Sequence, residues 1–197
     1  MVELGMDISA KKQTYLKLRE KMISCTNCDL RKGASQVVPG AGSVNAKIMF
    51  IGEGPGANED KQGIPFCGAA GKFLDELLGS INLNRNKIFI TNIVKCRPPK
   101  NRDPQVDEIK TCTKWLDKQI EIIQPQVIVP LGRHAMSFFL PSKTISKEHG
   151  NIYKVENRTY FVSYHPAAAL YNGSLRSVML EDFGRLRLRI NNTIMEM

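Results

Sequence analysis

Four of the five cysteines form two pairs whose spacing suits a metal centre. Cys25 and Cys28 make a CxxC pair, which can approach one metal from a single tight turn. Cys96 and Cys112 lie 16 positions apart and supply two more thiols. Four thiolates suit either zinc or an iron–sulfur cluster, and CxxC also occurs as a redox pair or in a core. Cys67 has no partner at ligand spacing, so we expect it to be a free thiol.

Several side chains that could bind or transform a ligand come at the ends of apolar runs. Asn92 lies inside the apolar run 88–94, Glu53 follows another such run, and His165 stands in Tyr164-His165-Pro166. An amide offers one donor and one acceptor, while imidazole and carboxylate groups exchange protons. Each type also has an ordinary structural role, since asparagine often caps a turn at the end of a strand.

The elements that must position these residues follow from the hydrophobic pattern. Short apolar runs predict strands at 47–51, 88–94 and 127–131, and a hairpin or paired edge strands over 152–162 with its turn at 156–158. Helical spacing predicts helices at 8–23, 71–80, 104–124, 132–139 and 175–190. Segments 25–45 and 52–70, rich in glycine and proline, are predicted to be irregular.

Alternating strands and helices predict a three-layer α/β/α fold with a parallel sheet covered on both faces. In such sheets ligands bind outside the carboxyl ends of the strands. The segments after the predicted strands begin at Gly52, Asn92, Gly132 and Ser163. Most of the unusual polar residues are therefore expected to lie at one edge of the sheet.

Composition narrows the class of protein. The chain has 197 residues, enough for one domain, and we expect a single domain over 1–197. No apolar run is long enough to span a bilayer, and the N-terminal residues lack the apolar core of a secretory signal, so we expect an intracellular protein without membrane contact. The net charge of +9 favours a polyanionic partner, most often a nucleic acid.

An ordered set of motifs resembles one known family. The motifs are GEGPG (52–56), GIPFCGAAG (63–71), TNIVKCRPPKNRDP (91–104), the later Cys112, and YHPAAAL (164–170). Together they resemble the uracil-DNA glycosylase superfamily, and more specifically its family 4 enzymes, the iron–sulfur type of archaea and bacteria. The resemblance implies a central four-stranded parallel sheet, a 4Fe-4S cluster on Cys25, Cys28, Cys96 and Cys112, and monofunctional removal of uracil from DNA as the start of base excision repair.

The resemblance assigns roles to the residues of the predicted edge. Asn92 is expected to read the uracil edge, Phe66 to stack on the flipped base, and His165 to stabilise negative charge at O2. Glu53 matches the carboxylate of the first motif and is expected to position water or to stabilise the sugar cation. Gly52 belongs to the same motif, where small residues let the backbone approach base and sugar. His134 and His149 lie in no matched motif and are expected to be structural.

The chain departs from the best-known relatives at three positions. An aspartate of the first motif is replaced by Gly54, and an aromatic residue that excludes the methyl group of thymine is replaced by Gly56. We expect Glu59 to help close the space around uracil C5. A leucine of the last motif is replaced by Ala169, so Leu170 or Tyr171 is expected to enter the vacated space in the duplex.

Contacts with the DNA backbone are expected from two basic segments. Arg97, Lys100 and Arg102 lie in the loop after Cys96 and could follow phosphates, whose neutralisation makes affinity depend on salt. Ser174 and Arg176 could meet phosphates beside the last motif. We expect a monomer, because one flipped base needs one site. We also expect the protein to act in the cytoplasm, at the nucleoid, on single- or double-stranded DNA that contains uracil. A protein partner such as a sliding clamp does not follow from the sequence.

Three other functions compete with uracil excision. The first is a glycosylase of the same superfamily with a shifted base preference, such as hypoxanthine or mismatched thymine. The second is a non-catalytic nucleic-acid-binding protein with zinc or an iron–sulfur cluster. The third is a nucleotide-binding enzyme, but GEGPG lacks the Lys-Ser/Thr ending of a P-loop and the spacing of a dinucleotide fingerprint.

Overall fold

A computed structural model describes residues 8–156 and 158–195. The first seven residues, Asn157 of the predicted hairpin turn and the last two residues lie outside the described part of the chain. None of the helices described is long and apolar enough to cross a membrane.

Six strands form one sheet in the part of the chain that the structure describes. They are β1 (Ala41–Gly42), β2 (Ile48–Gly52), β3 (Phe89–Asn92), β4 (Val127–Pro130), β5 (Ile152–Val155) and β6 (Arg158–Phe161), in the order β1-β3-β2-β4-β6-β5. The four central strands, β3, β2, β4 and β6, are parallel, while β1 and β5 pair antiparallel at the two edges. The predicted four-stranded parallel centre and the hairpin are confirmed.

The helices match the predicted ones closely, with additional short elements. They are α1 (Ile8–Ile23), α2 (Asp29–Gly33), α3 (Ala57–Gln62), α4 (Ala69–Ser80), α5 (Val106–Ile123), α6 (Gly132–Phe139), α7 (Ile145–Glu148), α8 (Ala168–Tyr171) and α9 (Leu175–Met195). The prediction that 25–45 and 52–70 are wholly irregular was wrong, since they contain α2, β1 and α3. Such short helices lack the length that reveals a 3.6-residue period.

Alternating side chains of the central strands divide the core into two halves. Along β2, Met49 and Ile51 pack in the half that also contains residues of α1 and α5, whereas Ile48 and Phe50 pack in the half formed with α4 and α9. Phe50 stacks on Phe183 of α9 with ring centroids 6.0 Å apart. Burial of each such side chain contributes about 1.5–3 kcal/mol. The three-layer arrangement is thus specified by a period of two along the strands.

The register of the sheet brings the strand ends together. Gly52 at the end of β2 is directly opposite Asn92 at the end of β3, and Leu131 after β4 is bridged to Ser163 after β6. The segments beyond these residues therefore meet at one edge, as predicted.

Candidate active site

A cleft of about 360 Å³ opens at the carboxyl edge of the sheet. It is lined by Glu53, Gly54, Pro55, Gly56, Glu59, Phe66, Ala70, Asn92, Pro98, Asn101, Arg102, Asp103, His165 and Ala167. The residues come from the ends of β2 and β3, the loops around α3, the basic loop and the segment after β6. A cleft of this size admits one aromatic ring or base.

Asn92 reaches the cleft from the end of β3. Its side chain is buried, and its Oδ1 atom has no hydrogen-bond partner among the described residues. A buried carbonyl oxygen without a partner costs about 1–3 kcal/mol. The amide therefore does not cap a turn, and its acceptor is left for a ligand. Gly52 makes room for it, since a Cβ there would lie 2.4 Å from Oδ1.

Phe66 is held beside Asn92 in a strained conformation. Its φ of 52° lies in the left-handed region, which costs a bulky residue about 1–3 kcal/mol. Arg85 offsets this cost by donating to the carbonyls of Phe66 and Pro65, at 2.5 and 3.0 Å, while Asp75 accepts from its Nε. The ring is buried and its centroid lies 5.4 Å from that of His165. The two rings thus form neighbouring walls of the cleft.

His165 presents a neutral imidazole. The amide of Ala167 donates to its Nδ1 at 3.2 Å, which places the ring proton on Nε2. Burial lowers the pKa of His165 to about 4, although Glu59 opposes this shift. Gly132, with a φ of 86°, packs so closely that a Cβ there would lie 2.8 Å from the His165 Cβ. The side chain is therefore a fixed donor and carries no charge at neutral pH.

Glu53 lies among charged groups at the mouth of the cleft. Burial raises its pKa, His134 and Arg133 favour its ionised form, and Asp103 opposes it. Nε2 of His134 lies 3.9 Å from a Glu53 oxygen, 3.3 Å from an Asp103 oxygen and 2.8 Å from Nε of Arg133. His134 thus lies beside Glu53 near the mouth of the cleft, and the expectation that it is structural stays a prediction. His149, by contrast, is not among the residues that line this cleft. Its Nδ1 lies 2.8 Å from an Asp182 oxygen.

Glu59 braces the loop that carries Phe66. Its Oε1 accepts from the amides of Cys67 and Gly68 at 2.9 and 3.1 Å. Its other oxygen would lie 2.8 Å from a Cβ at Gly56, and Gly54 packs with similar closeness on Val94. These glycines therefore make room for protein side chains. Whether Glu59 also closes the space around a base stays a prediction.

The four cysteines of the two pairs line one small cavity. Its other lining residues are Met22, Leu30, Arg31, Val37, Lys95, Thr111 and Trp115. Burial, with smaller contributions from Cys112, Cys28 and Cys25, raises the pKa of the Cys96 thiol to about 12. The four sulfurs therefore lie within electrostatic range of one another. This donor set fits a group that takes four thiolates and neutralises their charge. Cys67 lies elsewhere, beside Glu59.

Comparison with known proteins identifies the family. The model of the Uracil DNA glycosylase superfamily matches residues 39–184. A type-4 uracil-DNA glycosylase of Sulfurisphaera tokodaii is 47% identical, with 87% of this chain and 82% of that protein covered. The type-4 uracil-DNA glycosylase of Saccharolobus solfataricus is 46% identical, with 86% of this chain and 83% of that protein covered. That of Archaeoglobus fulgidus is also 46% identical, with 84% of this chain and 88% of that protein covered.

The chain belongs to the uracil-DNA glycosylase superfamily. The resemblance inferred from the motifs is confirmed, and so is the fold class. Members of this superfamily are DNA glycosylases, which hydrolyse N-glycosyl bonds.

The basic loop next to this glycosylase cleft is folded more tightly than expected. Arg102 forms two hydrogen bonds with Glu108, at 2.8 and 2.6 Å, and its side chain is only 37% exposed. Arg97 donates to Asn101, and Lys100 is exposed on a short 3₁₀ turn (Pro99–Asn101). Arg97 and Lys100 are thus available to phosphates, whereas Arg102 would first have to leave its carboxylate.

The segment after His165 forms α8, whose tip is the exposed part. Tyr171 is 92% exposed and Leu170 is 47% exposed, whereas Ala169 is buried in the core. Ser174 is held by Asn172, and Arg176 pairs with Glu76 and lies over the Phe73 ring. The two exposed apolar side chains remain the candidates for a wedge.

The sequence analysis missed the residues that fix the position of the side chains lining this cleft. Arg85, Lys95 and the bracing role of Glu59 act through contacts between distant parts of the chain, and no local pattern signals them. His134 had a signal, because it follows β4 at the same predicted edge.

Proposed function

We propose that the protein is a monofunctional uracil-DNA glycosylase that flips uracil out of DNA and hydrolyses its N-glycosidic bond. The product is an abasic site, which initiates base excision repair. One observation carries this assignment to uracil: the buried, unpartnered Oδ1 of Asn92 faces a cleft walled by Phe66 and His165.

The Asn92 amide distinguishes uracil from cytosine. Uracil offers a donor at N3 and an acceptor at O4, which complement Oδ1 and Nδ2 of the amide. Cytosine offers the reverse pattern, so its binding would leave buried polar groups unpaired. No group of residues 8–156 or 158–195 bonds to Oδ1, which supports this role because a donor of the ligand would satisfy it.

Phe66 and His165 act on the bound base. The Phe66 ring stacks on it, which contributes about 1–3 kcal/mol whatever its identity. When the C1′–N1 bond breaks, the base leaves as an anion, and the Nε2–H of neutral His165 donates to O2 where charge grows. A donor fixed beforehand stabilises this charge without reorganisation.

Glu53 acts on the sugar side of the cleft. The sugar gains oxocarbenium character as the base leaves, and an ionised carboxylate at the mouth stabilises it and positions the water that attacks C1′. His134 and Arg133 support the ionised form. The water oxygen becomes the new C1′ hydroxyl, and its proton passes to solvent or the base.

Cys25, Cys28, Cys96 and Cys112 hold a 4Fe-4S cluster with a structural role. Such a cluster crosslinks chain segments through four thiolate bonds. Here the cysteines tie the region around α2 to the exit of β3 and to α5, and thereby fix the start of the basic loop. Glycosyl hydrolysis involves no net electron transfer, so the chemistry rests on the cleft residues.

The DNA lies across the mouth of the cleft. Arg97 and Lys100 contact phosphates on one side, and Leu170 or Tyr171 fills the space left by the flipped base on the other. Flipping costs a few kcal/mol, less for mispaired or single-stranded bases. We propose a monomer acting at the nucleoid.

The test is cleavage of a labelled oligonucleotide that carries one uracil, followed by alkali. Wild-type protein is expected to give a band at uracil and none at thymine or cytosine. Asn92→Asp is expected to lower the uracil-to-cytosine ratio of kcat/KM by at least about tenfold, because a buried, protonated carboxyl can present its donor and acceptor in either order. Asn86→Asp, an exposed asparagine, is the matched control.

Each failure points to a different alternative. No band from protein that retains its iron would refute uracil excision, and a panel of other damaged bases would then separate shifted specificity from DNA binding alone. An unchanged base ratio in Asn92→Asp would remove Asn92 as the reader.

A further inference from the structure

Lys95 is a buried lysine that the proposed mechanism does not use. It follows β3 by three residues, and only 1% of its surface is exposed. Its Nζ donates to Thr91 Oγ1 at 2.8 Å, to the Asn92 carbonyl at 2.5 Å and to Gln119 Oε1 at 2.7 Å. Three acceptors match the three N–H groups of an ammonium ion.

The partners of Lys95 are themselves fixed. Gln119 donates to the carbonyl of Pro39 at 2.5 Å, and the Thr91 hydroxyl donates to Gln119 at 3.1 Å. The backbone amide of Lys95 donates to Cys112 Sγ at 3.3 Å. The network therefore joins β3, α5 and the loop before β1 directly behind Asn92.

Stability alone does not explain this arrangement. Removing an ammonium from water costs several kcal/mol, and replacing buried ionic groups by apolar residues of similar volume is often neutral or stabilising. A lysine kept buried despite this cost, with three acceptors around its Nζ, favours a role in holding one geometry. The geometry nearest to Nζ is the peptide that carries the Asn92 side chain.

We propose that Lys95 is a positioning residue that holds the Asn92 amide in the orientation that selects uracil over cytosine. The inference rests on the proposed function. Because Oδ1 has no partner in the part of the chain that the structure describes, the orientation of the amide depends on its backbone and on packing. The Lys95 hydrogen bond fixes that backbone at the carbonyl of Asn92 itself.

The test compares Lys95→Met with Lys11→Met. Lys11 is also buried and donates to the Ile123 carbonyl at 3.0 Å. It lies on α1, which contributes no residue to the cleft, so it controls for loss of a buried lysine. Iron per chain and thermal unfolding are measured first, then kcat/KM for uracil and cytosine. Lys95→Met is expected to lower the uracil-to-cytosine ratio at least tenfold, whereas Lys11→Met lowers stability and leaves the ratio unchanged.

Two further variants keep the inference falsifiable. Thr91→Val removes one acceptor of Nζ with little change in shape, and it decides the question if Lys95→Met does not fold. In an Asn92→Ala background the Lys95 substitution should cause no further loss of selectivity. An unchanged uracil-to-cytosine ratio of kcat/KM in folded Lys95→Met overturns the inference, and so does an unchanged ratio in Thr91→Val if only that variant folds. Wild-type protein that leaves uracil intact refutes the proposed function instead.

Discussion

A methyl group added at Gly52 would disturb the base reader and the stacking ring together. A Cβ there would lie 2.4 Å from Asn92 Oδ1 and 2.8 Å from Phe66 Cζ, where ordinary contacts begin at 3.4 Å. Gly52 ends β2 directly opposite Asn92, so the backbone cannot move away without breaking the register of the two central strands. The amide oxygen must therefore shift by about 1 Å.

The expected effect on catalysis is larger than the effect on folding. Overpacking of this kind costs about 1–3 kcal/mol, which leaves a typical domain folded. Misplacement of a binding group by 1 Å can lower the rate about 100-fold, which corresponds to about 2.7 kcal/mol in the activation barrier. Gly52→Ala should therefore fold and retain iron but lose about two orders of magnitude in kcat/KM.

Cleavage of the uracil oligonucleotide under single-turnover conditions measures this loss, alongside thermal unfolding. Gly79→Ala is the control, because a Cβ there meets no described atom within 4 Å and alanine favours α4 by up to about 1 kcal/mol. If Gly52→Ala kept wild-type kcat/KM and base selectivity, the positions of Asn92 and Phe66 would not limit the reaction, and the proposed reading geometry would be wrong.

Four other predictions address the metal, the pH dependence of activity, the pH dependence of stability and the wedge. Cys96→Ala is expected to lose iron and stability, whereas Cys67→Ser should keep both. Iron per chain and thermal unfolding measure these effects. Loss of iron from Cys67→Ser would make Cys67 a ligand. Because burial raises the pKa of Glu53, kcat/KM should fall as the pH drops through that raised value. Glu53→Gln should remove this fall at low pH. The same fall in Glu53→Gln would assign it to another group. The pKa of His165 is lowered to about 4 from 6.5, so the unfolded chain binds the proton of this residue more tightly than the folded chain does. The contribution of His165 to stability is therefore complete above pH 6.5 and is lost as the pH falls towards 4. This dependence of stability on pH should be absent from His165→Gln. Tyr171→Ala should lower activity on duplex DNA about tenfold, which is about 1.4 kcal/mol of stacking, and spare single strands; equal losses on both substrates would assign the wedge elsewhere.

The sequence was sufficient to predict the elements and the edge at which they meet. Helix α1 has the predicted bounds because its apolar spacing is local, and the central strands follow from short apolar runs. Asn92, Phe66 and His165 do line one cleft, because parallel strands place their carboxyl ends together.

What the sequence could not predict depends on contacts between distant residues. The left-handed conformation of Phe66 needs Arg85, 19 positions away, and the Lys95 network needs Gln119, 24 positions away. Neither leaves a periodic signal. Helix α3 was missed because glycine and proline flank it, although its Glu59 then binds the loop after Phe66.

The replacement of the first-motif aspartate by Gly54 changes what a carboxylate must do at this site. Glu53 lies one residue earlier, and its surroundings both raise its pKa by burial and favour its charge through His134 and Arg133. When ionised, a carboxylate in a partly dry cleft stabilises a developing sugar cation strongly, because the effective dielectric constant there is low. That electrostatic role does not require the oxygen to lie where a general base would have to lie. We therefore propose that Glu53 supports catalysis by its charge and position more than by proton transfer.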